Sequence, residues 1–243
     1  MGKQNKVLVI DAGNTSIKAG YFLNGKLIEV KRFDFNGLQS LLNWQNELQA
    51  EGIILASVLI ASETSAIQRL FPSCLLVDKS TRIPISILYK SPDTLGVDRI
   101  CNAVYCAIHS QTEFAVSIDI GTCIKFDLIQ KNQGYIGGSI SPGIDLRYKS
   151  LNDYTGNLPL ISNKSLGKLV GTETDKSIQA GVMQGINAEI EGLMSLYTDE
   201  FTDLTFFMTG GDASFFDIHS KNDIFADENL TIKGLYEIYK HNA

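Results

Sequence analysis

The apolar run Val7-Leu8-Val9-Ile10 stops at Asp11, and Ala12-Gly13-Asn14-Thr15 follow directly. A glycine between two strands lets the backbone turn with its N–H groups exposed. Asn14 and Thr15 add side-chain donors, so the turn can cradle phosphate oxygens. A carboxylate at the strand end can hold a hydrated Mg2+. Asp, Gly, Asn and Thr are equally the ordinary residues of a β-turn. Recurrence favours the first reading: the apolar run from Phe114 ends in Asp119-Ile120-Gly121-Thr122. Two acidic strand-end turns in related halves are expected to face each other across a cleft.

Other stretches offer chemistry of their own. Gly96-Val97-Asp98-Arg99 opens a helical stretch and sets a candidate base beside a candidate anion clamp. The same pair also reads as a helix-end acid with a surface arginine. Gly137-Gly138 and Pro142-Gly143 permit close backbone approach to a ligand or form a tight crossover. Thr209-Gly210-Gly211-Asp212 can lie under a base or ribose, or can simply turn a strand into a helix. Gly20 to Lys26 approximates a P-loop but lacks the final Ser or Thr, and its Gly25-Lys26 follows Asn24 in a hairpin turn, so it is rejected. His109, His219 and His241 lie too far apart to suggest a triad or metal cluster.

The elements that must position these residues follow from periodicity. Strands are expected at Val7–Ile10, Ile17–Phe22 and Lys26–Phe33, with Asn24-Gly25 making the hairpin. A helix around Leu38–Glu51, a strand Ile53–Ser57, a short helix near Ser62–Leu70 and a strand Cys74–Val77 then give an α/β layer. A helix over about Gly96–His109 leads into strands Phe114–Ile118 and Ile124–Ile129 and a turn at Lys131–Gly134, repeating the opening unit. Ile178, Val182, Ile186, Ile190 and Leu193 mark a long amphipathic helix over Asp175–Leu196. A strand Leu204–Met208 and a helix about Ile232–His241 close the chain. The duplication sets two halves, 1–110 and 111–243, with no Pro/Ser/Gly linker between them, so they are expected to pack around the cleft.

Composition narrows the partner. The chain has 243 residues, 44% hydrophobic, and a formal charge of −6. That balance argues against nucleic acid or an acidic membrane and for a small molecule. Cys74, Cys101, Cys106 and Cys123 form no CxxC pair, which suggests reduced thiols of a cytoplasmic protein and no zinc site. The start has neither a signal-like apolar region nor a membrane-span-length stretch, and Lys6 breaks the myristoylation pattern after Met1-Gly2. The sequons at Asn14, Asn163 and Asn229 then carry no meaning.

Taken in order, Asp11-Ala-Gly-Asn-Thr15, Gly96-Val-Asp-Arg99, Asp119-Ile-Gly-Thr122, Gly137 to Gly143, Thr174 with Gly181, and Thr209-Gly-Gly211 resemble the type III pantothenate kinases over nearly the whole chain. That family belongs to the superfamily of actin, sugar kinases and heat-shock chaperone ATPases. The resemblance implies an α/β, duplicated actin-like (ribonuclease H-like) ATPase fold, with two halves around a nucleotide cleft. It implies transfer of a phosphoryl group from ATP to pantothenate, the first step of coenzyme A biosynthesis, in a cytoplasmic homodimer whose substrate pocket borrows from the partner subunit. Carried over, Asp11, Ala12, Gly13, Asn14, Thr15, Ser16, Ile17, Lys18 and Thr122 bind ATP, with Asp11 near Mg2+. Asp98 is the base, and Tyr89, Gly96, Val97, Arg99 and Thr174 complete the pantothenate pocket. Asp119 holds a monovalent cation, K+ or NH4+.

Two positions depart from that pattern. Cys123-Ile124-Lys125 stand where the family has small or hydroxyl residues, and Glu173 often gives way to Asn. Strand alternation leaves Lys125 pointing out of the site, reaching a phosphate or competing with the cation. Phosphoryl transfer asks mainly for positioning and charge neutralisation, which such a residue set supplies. The same phosphate turns also serve other small-molecule kinases, such as sugar kinases, and non-catalytic nucleotide-switched accessory factors. Asp98 beside Arg99 and Tyr89 favours an alcohol bearing a carboxylate. The chain is too short for a chaperone's peptide-binding domain.

Overall fold

Successive residues of a strand face opposite sides of its sheet, and in β1 (Lys6–Ala12) both sets are apolar. Leu8, Ile10 and Ala12 pack with Leu41, Trp44, Leu55 and Ile67, whereas Val7 and Val9 pack with Ile54, Cys101, Val104 and Ile232. A strand with two apolar faces must be covered on both. The computed structural model, which describes residues 5–218 and 221–243, does this with helices. The Met1-Gly2 start and His219 lie outside the described residues.

The first sheet has the order β3-β2-β1-β4-β5, formed with β2 (Ile17–Leu23), β3 (Lys26–Phe33), β4 (Gly52–Ser57) and β5 (Leu75–Leu76). β1 runs antiparallel to β2 and parallel to β4. Its faces are covered by α1 (Leu38–Leu48) and α2 (Ala61–Leu70) on one side, and by α3 (Val97–His109) and α6 (Leu230–Asn242) on the other. The β2–β3 hairpin turns at Asn24 and Gly25, with φ of 49° and 85°, so the P-loop-like stretch is a hairpin.

The second sheet repeats the plan. Its order is β10-β9-β6-β7-β8, with β6 (Phe114–Ile120), β7 (Cys123–Gln130), β8 (Gly134–Pro142), β9 (Leu204–Thr209) and β10 (Ile224–Ala226) standing in sequence for β1 to β5. β6 is again antiparallel to one neighbour, β7, and parallel to the other, β9. Its main core gathers Val116, Ile118 and Phe126 with α4 (Ile144–Asp153) and α5 (Thr174–Glu200), which contributes Ile178, Val182, Ile186 and Ile190. Glu189 of α5 accepts hydrogen bonds from Ser141 and Arg147, tying α5 to the entry of α4.

The chain forms two compact units, Met1–His109 with Asn132–Tyr135 and Asn229–Ala243, and Ser110–Lys131 with Ile136–Glu228. The C-terminal helix α6 therefore belongs to the first unit. Among the described residues, no helix is long and apolar enough to cross a membrane.

Local differences from the sequence-based expectation have local causes. α1 ends at Leu48 rather than Glu51, because Gln49 turns left-handed at φ 52° and its N–H bonds back to the Gln45 carbonyl. The glycine-rich stretch 134–142 is a strand without apolar alternation, and α4 follows Gly143 with Ile144, Tyr148 and Leu151 on its packed face. β10 has three residues and no alternation to read.

Where β9 ends, Gly210 adopts φ +104°, and a Cβ there would lie 2.2 Å from the Ile120 carbonyl oxygen. The N–H of Asp212 donates to that same oxygen at 2.9 Å. Gly210→Ala is expected to cost about 2 kcal/mol or more, through both strain and backbone overlap. A urea midpoint unchanged by the substitution would contradict this packing.

Candidate functional site

Two hydrogen bonds define the turns. Between β1 and β2 the N–H of Gly13 donates to Ser16 O at 3.1 Å, and between β6 and β7 the N–H of Gly121 donates to Cys123 O at 3.1 Å. The first turn is one residue longer, since Ala12 pairs with Ile17 whereas Ile120 pairs with Ile124. Asn14 and Thr15 at its tip are exposed, and Gly13, Ser16, Lys18 and Asp11 are half-buried. Ala12 and Ile17 have fully buried side chains in the core, so only their backbone can face a ligand. In the second turn Thr122 is exposed, and its carbonyl accepts the N–H of Gly143 at 3.0 Å. Gly143 caps α4, so this helix N-terminus, an end that favours anions, adjoins the turn.

In the first unit, Gly96 opens α3, its carbonyl accepting the N–H of Ile100 at 3.2 Å. Asp98 Oδ1 accepts the N–H of Arg99 at 2.9 Å, which orients the carboxylate. One helical turn on, Cys101 is fully buried against the β1 face. Burial pushes its thiol well above the usual cysteine value, and the nearby carboxylates of Asp11 and Asp98 push it further. By strand alternation Asp11 lies on the same face of β1 as Val7 and Val9, which pack with Cys101, and Asp98 stands one helical turn before Cys101 in α3.

Arg99 is buried, its guanidinium carbon 5.9 Å from the centre of the Tyr89 ring and 5.7 Å from that of Tyr135, a cation–π arrangement. The two rings meet edge to face at 5.8 Å. Tyr135 escaped the sequence reading; its place follows from pairing with the segment before Tyr89. The Tyr135 N–H donates to Ser86 O, and the Leu88 N–H to Tyr135 O, each at 2.9 Å. Gly134, at φ +103°, lets the strands approach, since a Cβ there would lie 2.1 Å from Ser86 O. The available signal was Gly134-Tyr135 just after a hairpin turn.

Thr174 begins α5 in the second unit, exposed beside a shallow hollow of about 540 Å³ that Glu173 also lines. Glu173, Lys168 and Lys176 also line an adjoining cavity of about 380 Å³. Asp212, of the Thr209-Gly-Gly-Asp stretch, pairs with Lys164 at 3.1 Å, and Lys164 also pairs with Asp145 at 2.8 Å. Burial alone would lower the Lys164 ammonium, but the hydrogen bonds to Asp145 and Asp212 leave it above the usual lysine value. Gly211 next to them has open space around it.

At the end of β6, Asp119 lies opposite Lys125 of β7, and Nζ stands 2.7 Å from Oδ2. The expectation of a monovalent cation on Asp119 therefore meets an ammonium of the chain itself. A second cation on that carboxylate about 4 Å away would be repelled by about 4 kcal/mol at surface-like screening, so these residues do not fit an added ion. Asp11 does fit Mg2+: one half-buried carboxylate at a strand end beside a short turn is the usual protein share of a nucleotide-bound magnesium. Among the described residues, no three His, Cys, Asp or Glu side chains gather to hold a metal on their own.

This doubled strand–turn–strand plan is the fold of the actin-like sugar kinases. The chain superposes on the ROK hexokinase of Thermus thermophilus with a TM-score of 0.53 at 12% identity, over 98% of each chain. It superposes on a conserved Baf-family protein of Campylobacter jejuni, described as a transcriptional activator, with a TM-score of 0.61 at 23% identity, over 97% of this chain and 98% of that one. Sequence is more specific: the type III pantothenate kinase family model matches residues 7–196. The type III pantothenate kinase of Christiangramia forsetii is 39% identical over 97% of this chain and 98% of its own. The chain belongs to the type III pantothenate kinase family.

The packing around Asp11 and Asp98 makes a chemical prediction. At pH 8 an alkylating reagent is expected to label the half-buried Cys74 and Cys123 and to spare the buried Cys101 and Cys106 until the protein unfolds. Native-state labelling of Cys101, read by peptide mass, would contradict the burial described.

Proposed function

We propose that this protein transfers the γ-phosphoryl group of ATP to the primary hydroxyl of pantothenate, giving 4'-phosphopantothenate, the first step toward coenzyme A. The observation that carries the mechanism is that Asp11 shares the β1 face of Val7 and Val9, which pack with Cys101, one helical turn after Asp98 in α3. A phosphate-end carboxylate and a substrate base must be neighbours if one phosphoryl group is to pass between their ligands.

In this reading Asp11, the backbone of Ala12 and Ile17, and Gly13, Asn14, Thr15, Ser16 and Lys18 bind the ATP phosphates, and Thr122 binds ATP as well. Asp11 would hold magnesium, which would supply charge neutralisation to the phosphates. Tyr89, Gly96, Val97, Arg99 and Thr174 bind pantothenate. Arg99, packed against two tyrosine rings, gives a fixed cation for a carboxylate-bearing substrate.

Asp98 accepts the hydroxyl proton as the substrate oxygen attacks the γ-phosphorus. The bond to the β–γ bridging oxygen breaks, and ADP leaves. The reading includes a cytoplasmic homodimer. Its support is the exposed apolar set Leu160, Leu169 and Val170 on the segment leading to Thr174, a surface that a partner subunit would cover.

Asp98→Asn keeps the size of the side chain and removes the base. It is expected to lower kcat for pantothenate-dependent ADP release by about 10²-fold or more while leaving ATP affinity within about twofold. Full turnover in that variant would remove Asp98 from the mechanism. ADP release that ignores pantothenate but follows a hexose would move the assignment to a sugar kinase.

A further inference from the structure

Asp119 stands between two strands that align residues with it, Lys125 on antiparallel β7 and Thr209 on parallel β9. Directly opposed residues project to the same face, so the lysine reaches its partner from a fixed base. The pair is close, 2.7 Å, and shielded: the Lys125 and Asp119 side chains are 15% and 13% exposed. Salt therefore screens it much less than a surface pair. The other oxygen of Asp119 faces the turn, where a Cβ on Gly121 would come within 3.8 Å of Oδ1. That turn is pinned by the Gly143 N–H bond to Thr122 O, at the N-terminus of α4.

The arrangement also has a counterpart in the first unit. Asp11 at the end of β1 is in register with Lys18 of β2, as Asp119 is with Lys125. The repeated unit thus sets a lysine opposite its strand-end aspartate in both copies. In the second copy the two groups stand 2.7 Å apart.

We infer that the Lys125 ammonium is a built-in replacement for the monovalent cation that the resemblance implied at Asp119, and that this protein needs neither potassium nor ammonium ion. An ammonium group and a potassium ion carry the same charge at similar size. A tethered cation is present at an effectively constant local concentration, whatever the medium contains. The charge beside the Ile120–Thr122 turn is then a property of the chain. This inference rests on the kinase reading for its activity measurement alone.

The test compares wild type and Lys125→Met in KCl, NH4Cl and tetramethylammonium chloride at equal ionic strength, by thermal unfolding and by pantothenate-dependent ADP release. Wild type is expected to show the same Tm in all three salts and rates within about twofold. Lys125→Met keeps the apolar stem and opens the carboxylate to ions. Its Tm is expected to rise saturably, by about 2 °C or more, in KCl or NH4Cl over tetramethylammonium, with its rate following. A saturable rise of wild-type Tm or rate with potassium would overturn the inference, as would a folded Lys125→Met indifferent to all three cations. If that variant does not fold, the wild-type comparison decides alone. If no salt supports pantothenate-dependent ADP release, the kinase reading falls, and the Tm comparison still decides the inference.

Discussion

Each sheet is built around one strand that is paired antiparallel on one side and parallel on the other. β1 lies between β2 and β4, and β6 between β7 and β9. The antiparallel partner forces a tight reversal at the C-terminal end of the central strand, while the parallel partner ends alongside it. That mixed pairing leaves a short turn at the strand end, with an aspartate just before it. Asp11 and Asp119 occupy these positions, and Gly13 and Gly121 close the reversals with backbone bonds. The phosphate handling proposed for this chain depends on this constraint, because it sets a short turn beside a carboxylate with no loop long enough to move it.

The two copies have diverged around that common plan. In the first, the turn is a residue longer and carries exposed Asn14 and Thr15, and α3, which starts with Asp98 and Arg99, packs on the Val7 and Val9 face of β1. In the second, the turn is short and is pinned by Gly143. Most of the residues proposed to meet the substrate lie in the first copy, and the Lys125–Asp119 pair and the α4 N-terminus lie beside the turn of the second. The tyrosine pair around Arg99 is built by a short segment, Asn132–Tyr135, that belongs to the first unit although its strand continues into the second.

Much of this was legible in sequence because the determinants are local. The Asn24-Gly25 turn, the period of α5 from Ile178 to Ile190 and the repeated Asp-x-Gly-Asn/Thr turns each state their structure within a few residues. The Gly137–Gly143 stretch did not, since its glycines carry no alternation and its strand is defined by its neighbours. Tyr135 beside Tyr89 depends on pairing between segments about fifty residues apart in sequence, which no spacing rule reveals. Lys125 was visible as a departure, but three dispositions were open from alternation alone. The distance to Asp119 chooses among them. The Thr209-Gly210-Gly211 stretch divides: Gly210 is required by backbone packing on Ile120, and Gly211 faces open space.

The central claim is that a phosphoryl group passes from ATP to the hydroxyl of pantothenate on this chain. Its most direct measurement is 31P NMR of the purified protein with Mg2+-ATP and pantothenate. The account predicts that the γ-phosphate resonance declines while one phosphomonoester resonance, coupled to the protons of a neighbouring CH2, grows in equal amount with ADP. Loss of the γ-phosphate into inorganic phosphate alone, with no new phosphomonoester, would contradict it.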